Sequence, residues 1–275
     1  MNLEFLSLKK ENLFDWFESL ITKSIAELEG MPLKNGKLDY FKQEFFKQYC
    51  THFISIRTLI SGLKLSYKDV ETEITALPSI FILIRASLEN YSMFYHIYID
   101  SKDFKDTYFR FWSWFREGLI HKQRLSVRNY EVHATKLQSE KKEIDRILDE
   151  LQQHPAHQLL TLKQKKKYEK YGEWCFSSNR ELLESAGFSE PLSKNSYNYF
   201  SSFTHPTSSG HLQTSQADFE TARRSLDNMM NILFICSGLY IHNYALMFRE
   251  VDEFLNEKDK EFVASWCELG RKLMK

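Results

Sequence analysis

Arg85, Glu89, Ser92 and His96 recur at intervals of four, three and four residues inside an otherwise apolar stretch. In an α-helix those intervals fall on one face. Arginine suits phosphate or carboxylate, because its planar guanidinium makes two parallel hydrogen bonds. A glutamate one turn on could orient it or handle a proton. Arg and Glu are rarely buried without partners, so the same residues also read as a structural ion pair or a solvent face. A second polar set lies far along the chain, where Tyr197, Ser201 and His205 are spaced by four and Pro206 follows. They align if this piece is helical. His205 would then end the helix, where the dipole favours an imidazolium, and histidine exchanges a proton near neutral pH. The plainer alternative is a helix cap with packed hydroxyls. Together the sets suggest a cluster of Arg85, Glu89 and His205, supported by Ser92, His96, Tyr197 and Ser201.

A third set is Arg128-Asn129-Tyr130-Glu131-Val132-His133. Here histidine could move a proton while arginine stabilises charge on a reacting phosphate. Lys122, Arg124 and Lys136 lie close enough in sequence to contact a phosphate backbone. The looser spacing Arg-x4-His recurs at Arg116 and His121. No HExxH, zinc-type cysteine spacing or EF-hand loop occurs, and the close pair His154 and His157 reads as loop histidines. No GxGxxG, P-loop or GxSxG stretch is present. The expectation is no metal and no cofactor.

Two resemblances follow from these motifs. Arg85 after the apolar run Ile80–Ile84, then Leu88-Glu89, and later Tyr197-x3-Ser201-x3-His205-Pro206, resembles bacterial proteins of the DUF5677 domain family, over roughly residues 40–250. That resemblance implies an all-helical domain of undefined activity. It groups Arg85, Glu89, Tyr197, Ser201 and His205 as the polar positions. The Arg128-Asn129-x3-His133 motif is similar to that of HEPN-type helical ribonucleases. That likeness implies metal-independent RNA cleavage by the Arg and His at a symmetric dimer interface.

The elements that must position these residues show helical periodicity. Phe5–Glu29 carries apolar residues at helical spacing, and Leu38–Leu65 resumes the pattern. Ser66–Pro78 reads as a turn and a short helix. Ser79–Ile99 is apolar around most of its circumference, as a central helix is. Phe104–Leu119 is dense in aromatics, and a thinner stripe of Leu137, Ile144, Ile147, Leu148 and Leu151 continues a charged hairpin to 153. Pro155 opposes further helix. The run Lys163–Tyr168 reads as a solvated basic face. Ser189–Ser215, rich in Ser, Thr, Asn and Pro, reads as irregular, with a few helical turns over Tyr197–His205. Gln216–Leu255 is the second central apolar helix, and Glu257–Leu273 closes the chain. The expected fold is all-α: an irregular multi-helix bundle with two central apolar helices, one domain over 1–275.

Composition sets the outer bounds. Among 275 residues, 43% are apolar and only nine are Gly, so the chain can bury a core without metal or disulfide staples. Lys plus Arg equals Asp plus Glu at 37 each, which disfavours a nonspecific nucleic-acid coat. Zero net charge gives little repulsion between copies, so a homodimer is compatible, as is a protein or local RNA partner. Cys50, Cys175, Cys236 and Cys267 are scattered, and Met1–Lys10 has no long apolar segment, so reduced thiols and a cytoplasmic location are expected. The apolar runs 80–99 and 232–248 are interrupted by polar residues, so no membrane partner is expected. Two functional readings result. One is a noncatalytic helical binding or interaction protein, suited to bacterial stress or phage defence. The other is a metal-independent HEPN-like ribonuclease.

Overall fold

The computed structural model describes Phe5 and residues 8–67, 70–74, 76–125, 131–204 and 219–272. In chain order the elements are α1 (Lys10–Leu28), α2 (Lys37–Ile60), β1 (Leu63–Tyr67), β2 (Val70–Ile74), α3 (Leu77–Phe94), α4 (Phe104–Leu125), α5 (Glu131–Gln152), α6 (Pro155–Gln158), α7 (Leu162–Tyr171), α8 (Asn179–Ser185), α9 (Glu190–Thr204), α10 (Phe219–Met247), α11 (Arg249–Phe254) and α12 (Glu257–Lys272). A π-helical turn, Tyr95–Ile99, continues α3. The fold is an irregular helical bundle that, among the described residues, carries one small antiparallel hairpin, β1 against β2, in register from Leu63↔Ile74 to Tyr67↔Val70.

The hairpin corrects the turn and short helix expected over Ser66–Pro78. Gly62, at φ +86°, ends the preceding helix in a backbone region that favours glycine. Beyond it, Leu63-Lys-Leu-Ser-Tyr alternates apolar and polar residues at period two, the period of a strand, and in Val70-Glu-Thr-Glu-Ile the β-branched Val70, Thr72 and Ile74 alternate with two glutamates. A second correction concerns Ser189–Ser215. Residues 190–204 of that stretch form α9. Pro191 sits in its first turn, where proline costs no hydrogen bond, and Phe200 is fully buried. Packing has overridden a loop-like composition.

The chain groups into two compact units, Met1–His96 with Ser178–Lys275, and Ile97–Ser177. Sequence periodicity predicts a single domain that could carry a peripheral helical hairpin over 104–153. The second unit holds that hairpin and continues through α6 and α7.

In the first unit α3 packs against α2, α8, α9 and α10, and α10 also meets α1 and α12. These are the two central apolar helices. Ile80, Ile84, Tyr91 and Phe94 of α3, and Leu233, Phe234, Tyr240 and Ile241 of α10, are fully buried. Aromatic rings fill the seams: Phe46 stacks on Tyr244 at 4.1 Å, and Tyr240 lies 4.8 Å from both Tyr49 and Phe94. Trp16 of α1 stacks on Phe262 of α12 at 4.1 Å and donates from Nε1 to Asp259 at 2.8 Å. By length and composition Arg224–Met247 would suffice to cross a membrane, and 78% of its apolar window is buried inside the protein. All four cysteines are free, and Cys50, Cys236 and Cys267 are buried.

The second unit pairs α4 with α5. Ile144, Ile147 and Leu151 of α5 are buried, as the thin stripe required. Arg116 of α4 is 2% exposed. Its guanidinium donates to the carbonyls of Tyr168 at 2.8 Å and Glu169 at 2.9 Å, and it lies 5.4 Å from the centre of the Tyr168 ring. Those carbonyls belong to the last turn of α7, which carries the negative end of the helix dipole. At the other end of α7, Thr161 and Gln164 form a reciprocal capping box.

The crossing of α10 and α12 depends on two glycines. A Cβ on Gly270 would stand 2.6 Å from Ile235 Cγ2, and one on Gly238 would stand 2.8 Å from Trp266 Cβ. Gly118, inside α4, has nothing within 4 Å of such a Cβ. Gly238→Ala and Gly270→Ala are therefore expected to destabilise by about 1–3 kcal/mol through overpacking. Gly118→Ala is expected to stabilise by roughly 0.5–1 kcal/mol through helix propensity. Urea denaturation of the three variants checks both signs.

Candidate functional site

The α3 stripe exists in part as expected. Arg85 Nε donates to Glu89 Oε1 at 2.9 Å, with Arg85 16% exposed and Glu89 40% exposed. Ser92 is buried and donates to the Glu89 carbonyl at 3.1 Å. His96 falls within the π-helical turn, where hydrogen bonds run to the fifth residue and the four-residue stripe loses its register.

The helix bearing the second polar set is α3's neighbour. Phe81 of α3 packs against Tyr199, Phe200 and Phe203 of α9 at ring separations of 5.6, 6.1 and 4.8 Å. Tyr199 is half-buried, which pushes its hydroxyl pKa up, and it hydrogen-bonds Ser225 of α10. Ser201 is half-buried on α9, and the backbone of Tyr197 lies on the same helix. His205 and Arg128 lie outside the described residues, and His133 is described only by its backbone, in the first turn of α5. The two helices carrying the proposed cluster are thus in contact.

Sequence reading missed the polar groups that turn inward from α3. Asn90 Nδ2 donates to Gln48 Oε1 at 3.1 Å, and its Oδ1 accepts from the Tyr240 hydroxyl at 3.1 Å. The Tyr91 hydroxyl donates to the Ala186 carbonyl at 2.8 Å and accepts from Asn243 Nδ2 at 2.9 Å. Tyr49 and Ser237 share a hydroxyl contact of 2.7 Å. The available signal was the polar interruptions Asn90, Ser237 and Asn243 within apolar runs.

The second unit contains a separate polar group around Tyr168. Its hydroxyl meets Ser113 at 3.0 Å. His157 is 4% exposed, lies 5.3 Å ring to ring from Tyr168, and has both ring nitrogens buried without hydrogen-bond partners. Arg116 of the second Arg-x4-His pair is committed to the carbonyls of α7, which gives that pair a structural arginine. Among the described residues no group of three or more His, Cys, Asp or Glu could hold a metal ion.

Also within this unit, Phe104, Lys105, Tyr108, Glu150, Leu151, Gln153, His154 and Pro155 line a cleft of about 330 Å³. The Tyr108 hydroxyl donates to Glu150 Oε1 at 2.5 Å, and burial, then the Glu150 contact, pushes its pKa up to about 12. Arg146 Nη1 donates to Glu150 Oε2 at 2.9 Å. His154 caps α6, its Nδ1 accepting from Ala156 N–H at 3.2 Å, and its ring stacks on Phe109 at 5.0 Å. That hydrogen bond leaves the neutral ring's proton on Nε2. No family model, no curated protein and no solved structure matches this chain.

His157 gives the second unit a pH response. Burial lowers its pKa below the ordinary histidine value, Lys165 lowers it further, and Glu169 opposes both. The unfolded chain therefore takes up this proton first. Its contribution is present above the unfolded value of about 6.5 and is lost as pH falls through the folded value. Melting temperatures measured from pH 7.5 to 5 should fall, and the fall should be shallower in His157→Phe. A melting temperature that rises with acid would contradict the assignment.

Proposed function

We propose that this chain is a helical binding protein whose ligand occupies the cleft of the second unit. The observation that carries the reading is the combination of volume and lining. A space of about 330 Å³ lies within the usual range for small-molecule sites, about 300–1,000 Å³. Phe104, Tyr108, Leu151 and Pro155 offer an apolar and aromatic wall, and Lys105 supplies a cation. The ligand that complements this lining is a compact, flat, apolar body with an anionic group.

Binding suits the polar groups better than catalysis does. Glu150 is held by Tyr108 and Arg146 together, so its oxygens already have partners. With its pKa raised to about 12, Tyr108 keeps its proton at neutral pH. His154 spends Nδ1 on the cap of α6. These groups fix one another and shape the cleft. The setting in bacterial stress or phage defence belongs to the same proposal and draws on the DUF5677 resemblance.

The aromatic anion 1-anilinonaphthalene-8-sulfonate is a suitable probe. The full chain should bind it saturably, with enhanced fluorescence. Phe104→Ala and Lys105→Glu should each weaken that binding by about tenfold, the equivalent of roughly 1.4 kcal/mol, while Arg85→Ala leaves it unchanged. Equal binding by wild type and both cleft variants would contradict the proposal.

A further inference from the structure

The expectation of no membrane partner concerns spanning segments; for surface docking, we propose that the second unit binds an anionic lipid bilayer through the turn Leu159–Leu162 and the basic outer face of α7. Leu159 is 85% exposed and Leu162 is 81% exposed. They flank Thr161, whose side chain caps α7 in a closed capping box. The box fixes the first turn, so Leu162 is held in its outward position. Lys163, Lys166 and Lys170 follow, all exposed and spaced by three and four, which places them on one side of the helix. Lys165 is half-exposed between them.

The charge of this segment stands apart from that of the chain. Residues 161–172 contain five lysines and a single acid, Glu169, on a protein of zero net charge. Lys167 is paired with Glu173 at 2.6 Å. Lys163, Lys165 and Lys166 form no ion pair with a described residue. Glu169 accepts from Gln152 at 3.4 Å. At the far end of α7, Tyr171 is 44% exposed, with Lys170 5.0 Å and Arg124 5.6 Å from its ring. An amphipathic ring between cations suits the headgroup level of a membrane.

The partner follows from having both features in one place. Unpaired lysines call for an anionic surface. Two strongly exposed leucines on one turn call for an apolar medium they can enter. A bilayer with anionic headgroups supplies both: hydrocarbon for the leucines, and phosphates that the lysines reach by extending their stems. A nucleic acid would satisfy the lysines and leave the leucines in water.

The test is cosedimentation of the full chain with vesicles. One set is phosphatidylcholine alone, and the other has phosphatidylglycerol replacing part of it. Wild type should bind the anionic vesicles and not the neutral ones, and added salt should weaken binding. Leu159→Asp with Leu162→Asp, and Lys163→Glu with Lys166→Glu, should each weaken binding by tenfold or more, with circular dichroism unchanged. The altered side chains are at the surface, so folding is retained. No wild-type binding to anionic vesicles would overturn the proposal, as would binding that both double variants retain. So would an RNA oligonucleotide that binds through the lysines while vesicles do not.

Discussion

Burying a polar atom without a partner is costly, and in the seam between α3 and α10 polar side chains find partners in each other. Asn90 bridges Gln48 on α2 and Tyr240 on α10. Tyr91 bridges Asn243 on α10 and the carbonyl of Ala186 just after α8. Leaving such a group unsatisfied in the interior costs about 1–3 kcal/mol. Apolar contact alone would tolerate a slide of one helix along the other. These pairs do not, because a shift of one turn would orphan several at once. The seam therefore fixes the register of four elements. It also fixes which part of α3 faces α9 and where the Arg85–Glu89 pair emerges.

The same logic governs the second unit with different chemistry. Arg116 is buried, and its two hydrogen bonds go to the last carbonyls of α7. Burial pulls its pKa below the ordinary arginine value, while Tyr168, Asp145 and Glu169 pull it up. The guanidinium thus ties α4 to α7 at the negative end of the α7 dipole. Ser113 and Tyr168 add a hydroxyl contact beside it. Fixing α7 in this way leaves its lysine-rich face outward.

Long periodic segments made most of the helices legible, because a helix that buries a face must repeat apolar residues at three and four. The α3 and α10 cores and the thin stripe of α5 were readable for that reason. Strands of five residues were not, since two alternating pentads carry too little pattern against the helical runs beside them. The Ser-rich α9 was obscured because its stability comes from aromatic packing on α3 and not from local propensity. At the candidate site, the Arg85–Glu89 pair was visible from its spacing. The inward network was not, because Asn90 and Tyr91 resemble interruptions until their distant partners are known. The cleft of the second unit joins the start of α4 to the end of α5, residues more than forty apart, so no local motif announces it.

The most direct test of the seam is a double-mutant cycle on Tyr91→Phe and Asn243→Ala, read by urea denaturation of both single variants and the double variant. If the hydroxyl and amide depend on each other as the network requires, the effects will be non-additive, with a coupling of about 0.5–3 kcal/mol. Additive effects would contradict the claim that this pair locks α3 against α10.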